Sequence, residues 1–501
     1  MPPNNLHDTA TTPRTITNTP TEKEQTMNDS STPINIDPHD WGIAEALTTP
    51  LTNLARHVLD QDRWLTWGEH GWDDDLSAVE LDNAVASLLK AALPEQDKPK
   101  AFEQVKERKR VTASLHRLLS SRGLHSMREL LTKQRPLLVH AHQLDTNPDV
   151  LGTPNGIVDL TTGELRPHDR SELITRRCSV TYDPAAACPR WQEFLREAIS
   201  EDAEVQAYLQ RALGYCLTGH TSAEQMWLLL GAGSNGKSTF LAVLQEMLGT
   251  YADASPESLL LTTKTPGAAS NDIAAIRGHR VVTLADTDSG RALHEGRLKQ
   301  LVSGDAIAAR ALYKEFTTFA PVAKFFLATN HLPKVQGTDD GIWRRLVLVK
   351  FPRQFPNNPH LRNELKAEMP GILAWAVRGA QAWFAEDRKL HVPTQFRNAT
   401  NEFRHAEDHI ARFVADCIVE DEGTQLSAQA LRTAYENWCT DEGITARNRN
   451  EVAAELTAKG YSSRAYGKDR RHHWMGIKIA SAPSPVQLAL TPEPGAPSEA
   501  A

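Results

Sequence analysis

Cysteine is scarce in this sequence: Cys178, Cys188, Cys216, Cys417 and Cys439 are the five among 501 residues, an odd number with no Cys-x-x-Cys pair. That argues against a disulfide framework and against a zinc ribbon, and makes a reducing cytoplasm the expected compartment. Long apolar runs are missing as well. None approaches the roughly 20 residues that a membrane-spanning helix needs, and the opening MPPNNLHDTATTPRT offers no apolar stretch for a signal peptide. Neither export nor a membrane span is expected. Nor is there a surplus of positive charge: 55 Lys and Arg stand against 63 Asp and Glu, a net charge of −8, so contact with nucleic acid would have to come from local basic patches. The remainder is 40% hydrophobic and 24% charged, with 28 Gly and 29 Pro, a composition that fits a packed protein of several domains and excludes a collagen, a coiled coil or a fully disordered chain.

The two ends differ from the middle. Residues 1–38 are rich in Thr, Asn and Pro and carry no aromatic before Trp41, while residues 481–501 are Pro- and Ala-rich and aromatic-free. Both are expected to be disordered tails, because they cannot bury enough apolar surface to offset their ordering entropy. Met27 in the first tail is an alternative start. Residues 39–215 combine RWLTWGEHGWDDD, the basic helical stretch VKERKRVTASLHRLLSS and the strand-like NGIVDLTTGELRPH, which predicts an α+β module with hairpin turns at Asn155-Gly156 and Thr162-Gly163. Trp64, Trp67 and Trp72 read more cheaply as core aromatics than as a base-stacking platform. Over residues 216–356 the runs MWLLLG, RVVTLAD, AKFFLATN and LVLVKF alternate with helical stretches, the pattern of a buried, mostly parallel sheet with helices on both faces. The whole is expected to be a multidomain α/β protein around a nucleotide-binding core. A helical connector (357–395) and a segment of helices followed by a strand pair (396–480), a winged-helix-like order, complete the chain.

One motif carries most of the chemistry. Gly231-Ala232-Gly233-Ser234-Asn235-Gly236-Lys237-Ser238, followed by Thr239, fits GxxxxGK[ST] and stands between the strand MWLLLG and the helix STFLAVLQEML. The glycines let backbone N–H groups wrap a phosphate, the helix N-terminus adds partial positive charge, Lys237 can reach the outer phosphates of a nucleoside triphosphate, and Ser238 can offer its hydroxyl to Mg2+. A glycine-rich turn that only caps a helix needs neither Lys237 nor Ser238. Further along, RVVTLAD ends in Asp286, with Asp288 two residues on; a carboxylate at the end of a neighbouring strand is what holds Mg2+ and polarises an attacking water. Taken alone, those acids could be a surface turn. The strand AKFFLATN ends in Asn330, a candidate for contacting the γ-phosphate or the water, and Arg344 and Arg345 precede the last apolar run, where an NTPase working as a ring needs an arginine for its neighbour's phosphate.

Taken together, GAGSNGKST, VVTLADTD, LKQLVSGDAIAARALYKEF, FLATNHLP and GTDDGIWRRLVLVKF resemble the superfamily 3 helicase core of the phage and plasmid primase-helicase family. The likeness extends over residues 45–480, through LDTNPDVLGTPNGIVDLTTGELRPH and YLQRALGYCLTGH upstream and FRNATNEFRHAEDHIARFV and YENWCTDEG downstream. The resemblance implies an AAA+-like ATPase, using ATP and Mg2+, that forms a homo-hexameric ring and moves 3′ to 5′ on single-stranded DNA. It assigns Lys237 and Ser238 to the phosphate loop, Asp286 to the metal-binding acid with Asp288 as an alternative for the catalytic carboxylate, Asn330 to the sensor, and Arg345, with Arg344 second, to the arginine that acts across subunits. Arg310 and Lys314 would face DNA from the hairpin in residues 299–316. Residues 459–478 hold six cations (Lys459, Arg464, Lys468, Arg470, Arg471 and Lys478) against Asp469, and Lys468, Arg470 and Arg471 are the candidates there for DNA contact, at a replication origin for example. His472 and His473 read as strand residues, since no matching ligand spacing stands nearby. Members that make primers carry a catalytic domain of a few hundred residues upstream; the short polar tail here leads us to expect a helicase without primer synthesis, served by a separate primase. Two other readings compete: an ATP-dependent initiator that binds or melts an origin without processive unwinding, and a small-molecule P-loop kinase. The kinase is disfavoured because the arginines precede a strand and the flanking modules would have no role.

Overall fold

The computed structural model describes residues 39–74, 77–93, 102–262, 269–286, 290–310, 312, 316–337, 339–356, 358–466 and 471–480. Both expected tails, Asp288, Lys314, Lys468 and Arg470 lie outside these residues, and Asp286 and Arg471 are described by their backbone alone. The chain divides by its internal contacts into two compact units, 1–144 and 145–501.

In the first unit, strands β1 (Ala55–Val58), β2 (Arg63–Gly68), β3 (Gly71–Asp73) and β4 (Leu138–Val139) form a sheet in the order β3-β2-β1-β4. The β2–β1 and β2–β3 pairs are antiparallel and the β1–β4 pair is parallel. Helices Asp40–Leu51, Ser77–Ala91, Phe102–Leu118 and Ser121–Leu131 pack their apolar stripes into one core, with Leu47, Leu81, Val85, Leu115, Met127 and Leu131 buried beside Trp64. Trp64 and Trp72 are buried, and Trp67 meets the Trp72 ring edge-on at 5.3 Å. Trp64 and Trp72 are thus the core aromatics expected from the sequence, with the half-buried Trp67 packed on Trp72.

The second unit opens with the antiparallel meander β5 (Val150–Thr153), β6 (Gly156–Asp159) and β7 (Leu165–Arg166). Its first turn is the Pro154-Asn155 pair between Thr153 and Gly156, and the Asn155 amide is locked to the backbone of Tyr182. The central sheet follows: β8 (Met226–Leu230), β9 (Ala252–Ala254), β10 (Val281–Asp286), then, after the small hairpin β11 (Ile307–Ala309) and β12 (Thr317–Phe319), β13 (Lys324–Thr329) and β14 (Leu346–Lys350). Its order is β14-β8-β13-β10-β9 and every neighbouring pair is parallel. The four apolar runs read from the sequence are four of its five strands; β9, only three residues long, left no run to find.

Period-two alternation sorts the strand side chains onto two cores. Trp227, Leu229, Phe326, Ala328, Val347 and Val349 face one layer, built from helices Pro189–Ala198, Ala203–Leu217, Lys237–Leu248 and Met369–Ala385. Met226, Leu228, Phe325, Leu327, Leu346 and Leu348 face the other, with Leu298, Leu301 and Phe403. On the first layer the helices Ala203–Leu217 and Met369–Ala385 cross so closely that a Cβ on Gly214 would lie 2.0 Å from the Ala380 nitrogen, and one on Gly379 would lie 1.9 Å from the Gln210 carbonyl. Residues 145–215, placed by sequence with the N-terminal module, therefore pack against the central sheet.

At the end of the sheet where the strands begin, two buried cations have no carboxylate partner among the described residues. Lys324 donates to the carbonyls of Thr218, His220 and Val322, and Arg280 to those of Val150 and Leu217 while lying over the Tyr251 ring. They dock the meander and the Thr218–His220 turn to the sheet. Burial pushes the Lys324 amine down to about 7, and burial raises the nearby Cys216 thiol to about 12.

The last part of the chain runs helix His409–Cys417, β15 (Ile418–Ser427), helices Ala428–Asp441 and Arg449–Ala458, then β16 (Ser463–Tyr466) and β17 (Arg471–Ile479), with the antiparallel order β15-β17-β16. Its separate core gathers Phe413, Tyr435, Trp438, Leu456, Trp474 and Ile477. The helix Thr394–Glu407 leads into it and covers the edge strand β14, where the Thr400 hydroxyl accepts the otherwise unpaired Leu348 N–H at 3.0 Å.

Two outcomes follow from this packing. Gly214→Ala, which elsewhere in a helix would add stability, is expected to cost about 1–3 kcal/mol here because the crossing must open; denaturant unfolding that shows no loss contradicts the close approach. Between about pH 7 and the ordinary lysine value the unfolded chain binds more protons at position 324 than the folded one, so the Lys324 contribution to stability rises with pH across that window. The stability of the wild type relative to Lys324→Met is expected to grow from about pH 7 to about pH 9, and a difference flat in pH assigns that titration elsewhere.

Candidate nucleotide-binding site

Three adjacent strands end level. Leu230 of β8 pairs with Thr329 of β13, which pairs with Asp286 of β10. The phosphate-loop motif, Asn330 and the Asp286 backbone therefore emerge side by side along one rim of the sheet, although 100 residues separate the first two in sequence.

The loop between β8 and the helix Lys237–Leu248 turns through left-handed backbone at Gly233 (φ 104°), Ser234 (φ 49°) and Gly236 (φ 90°). Gly236 has a second constraint, since a Cβ there would lie 2.8 Å from the Phe194 ring. Only glycine meets both demands. The loop is pinned from outside: Gly231 N–H donates to the Thr329 carbonyl, Phe355 N–H to the Ser234 carbonyl, and the buried Asn235 amide to the Phe351 carbonyl. Lys237 is buried at the first helical position, and its Nζ donates to the Gly231 carbonyl (2.6 Å), Asn235 Oδ1 (3.0 Å) and Asn330 Oδ1 (3.1 Å). All three partners are neutral oxygens. Burial holds the Lys237 amine below the usual lysine range, so an anion placed there would both neutralise and re-solvate it. Ser238 is exposed on the first turn beside it, with Thr239 half-buried. Backbone amides, a poised ammonium and the Ser238 hydroxyl at a helix N-terminus make a cradle that could take phosphate oxygens. Among the described residues no group of three His, Cys, Asp or Glu side chains could hold a metal by itself.

The two arginines part company. Arg345 is 10% exposed at its side chain and clasped in place, donating to the Gly341 carbonyl and pairing with Glu224 at 2.5 Å. Arg344 is 63% exposed and reaches the same carboxylate at 3.0 Å from the surface. Both precede β14, whose first residue pairs with Met226, the first of β8; they sit at the opposite end of the strands from the phosphate loop that follows Leu230. Glu224, the anchor for both, had no signal in the polar segment TSAEQ.

The expected hairpin is β11–β12, carried by the helix Glu295–Ser303. At its tip Leu312 and Phe316 are more than 60% exposed, and the Arg310 guanidinium lies over the Phe316 ring at 5.3 Å. Lys299, the first residue of the region matched in sequence, instead pairs with Asp339 at 3.1 Å. In the C-terminal strands two of the six cations are already paired in cis, Lys459 with Asp408 and Lys478 with Asp421, while Arg464 is exposed and Arg471 opens β17 opposite Tyr466.

Residues 44–200 match the family described as D5 N terminal like, and residues 229–345 match a family of unknown function, DUF5906. A protein named as a helicase, L207/L206 of Acanthamoeba polyphaga mimivirus, is 26% identical over 408 residues, 75% of this chain and 42% of that protein. One named as a primase, C962R of African swine fever virus (isolate Tick/Malawi/Lil 20-1/1983), is 24% identical over 345 residues, 63% of this chain and 35% of that protein. This chain is thus similar to proteins named as helicases and primases of large DNA viruses. It spans about two fifths or less of the length of these relatives. In fold, the chain is similar to the apo structure of the NrS-1 C-terminal region, with a TM-score of 0.50 at 9% identity, covering 88% of this chain and 100% of that one. Among the described residues no helix is long and apolar enough to cross a membrane.

Proposed function

We propose that the protein is the ATP-driven motor of a DNA helicase of superfamily 3 type, working as a homo-oligomeric ring, a hexamer by family resemblance, on single-stranded DNA during replication of a phage, plasmid or related element. The observation that carries this reading is the split between the two ends of the central sheet. The phosphate loop, Asn330 and Asp286 share one rim, whereas Arg344 and Arg345 stand at the other end of the strands. Five-residue strands separate the ends by about 13 Å, so neither arginine serves its own phosphate loop. A guanidinium that is exposed at that end serves a neighbouring copy, and Arg344 is the exposed one.

In this reading Lys237 and the amides of residues 233–239 hold the β- and γ-phosphates of ATP, with Ser238 and Asp286 as the oxygen ligands for Mg2+. The ion supplies charge neutralisation for the transferring phosphoryl group. Asn330, already bonded to Lys237, orients the water, with Asp286 or Asp288 as the acid that takes its proton. Arg310, stacked on Phe316 at the hairpin tip, and Lys314 track the DNA backbone, where cations and an aromatic face need no sequence readout. The C-terminal order of helix, strand, two helices and a strand pair is that of a winged helix, and Lys468, Arg470 and Arg471, which follow β16 in sequence, are the cations it would present to duplex DNA such as an origin. Relatives carry both helicase and primase names, and the reading here concerns the motor.

ATP hydrolysis measured with and without single-stranded DNA tests the proposal. Wild type is expected to be stimulated by DNA, and Lys237→Ala to lose turnover by on the order of 100-fold or more. Arg345→Ala is expected to lower the unfolding midpoint, since it removes the more buried of the two guanidinium pairs to Glu224 and the bond that ties the 341–345 turn. Hydrolysis indifferent to DNA would leave an ATP-dependent initiator or switch as the better account.

A further inference from the structure

The segment after the sensor asparagine is tied to the hairpin-bearing helix by one side chain. From Asn330 the chain runs through residues 331–337 alongside residues 291–295, with Lys334 N–H donating to the Arg291 carbonyl and Leu293 N–H to the Lys334 carbonyl. It ends on Glu295, the first residue of the helix Glu295–Ser303, whose Oε1 accepts both the Gln336 N–H at 2.8 Å and the Gly337 N–H at 2.7 Å. A Cβ on Gly337 would lie 2.4 Å from Glu295 Oε2, so a side chain there would push the carboxylate aside. The same helix leads through Gly304 into β11 and the hairpin tip. Further down it, Lys299 pairs with Asp339, which begins the turn carrying Arg344. The helix is thus a junction between the nucleotide rim, the hairpin and the arginine pair.

We propose that Glu295 is a positioning residue that transmits the state of the nucleotide at Asn330 to the hairpin, by clamping the amides of Gln336 and Gly337 to the helix that bears β11 and β12. This inference rests on the motor reading above. A carboxylate accepting two backbone N–H groups is a charge-assisted clamp with fixed direction, so a displacement of Asn330 on phosphate loss pulls on the helix start instead of being absorbed in the loop. An ordinary structural cap in this position would alter stability and leave the dependence of hydrolysis on DNA intact.

The experiment compares wild type, Glu295→Gln, Glu295→Ala and Gly337→Ala in the full chain, reading ATP turnover with and without single-stranded DNA, DNA affinity, and the unfolding midpoint. Gln keeps a carbonyl oxygen able to accept both amides and is expected to retain most of the stimulation. Glu295→Ala removes the acceptor and Gly337→Ala pushes it away, so both are expected to keep turnover without DNA and DNA affinity close to wild type while stimulation falls by about fivefold or more. Stimulation unchanged in both variants, or lost equally in Glu295→Gln, overturns the clamp. A fall in basal turnover that parallels the fall in unfolding midpoint in both variants also overturns it, in favour of a structural cap. Wild type that DNA does not stimulate at all overturns the motor reading itself, which separates the two failures.

Discussion

The in-register parallel pairing of β8, β13 and β10 is the constraint from which the rest follows. Parallel strands all point the same way, so whatever follows each of them emerges on one rim, and level pairing of Leu230, Thr329 and Asp286 sets three distant loops side by side. The same pairing sends whatever precedes the strands to the other end. One geometric fact thus assembles the phosphate site and removes the arginines from it. The ladder is held by burial on both faces, where alternating residues of β8, β13 and β14 enter two separate cores, and by two desolvated cations that lock the strand starts to the preceding turns. A buried cation satisfied only by carbonyls is costly. Lys324 and Arg280 are tolerated because they donate to backbone oxygens of the segments 147–150 and 217–220 and of Val322.

At the site, Lys237 occupies a similar electrostatic position for a different end. Its three partners are neutral oxygens and burial lowers its affinity for the proton. The arrangement is preorganised for an anion: the cost of drying the ammonium has been met by the fold before any ligand arrives. Asn330, at the end of a third strand, belongs to that preorganisation, since its Oδ1 accepts from Lys237 Nζ.

Much of this was legible in the residues because the signals are local. Four of the five central strands are apolar runs of five or six residues, and the second glycine of GxxxxGK[ST], Gly236, stands where positive φ is required. The hairpin, the basic strand pair and the final helices were also readable as elements. What escaped was set by contacts distant in sequence. Lys324 reads as an ordinary strand residue in AKFFLATN, and nothing local says that it is dry. Arg344 and Arg345 are neighbours of the same type that share Glu224, about 120 residues away, and which one is buried depends on that carboxylate and on the Gly341 carbonyl. The contact boundary at 144/145 was hidden because the meander following it has the composition of the module before it, and only its packing on Tyr251, Arg280 and the Thr218 turn assigns it to the second unit.

The central claim is that a complete site takes its phosphate loop from one copy and its arginine from the next. Mixing two inactive variants, Lys237→Ala and Arg344→Ala, tests it most directly. Each alone is expected to hydrolyse ATP poorly. Mixed and reassembled rings should regain turnover, because interfaces form in which an intact Lys237 faces an intact Arg344. Mixtures that stay as inactive as the separate variants at concentrations where rings form, or an Arg344→Ala protein with wild-type turnover, would contradict the account.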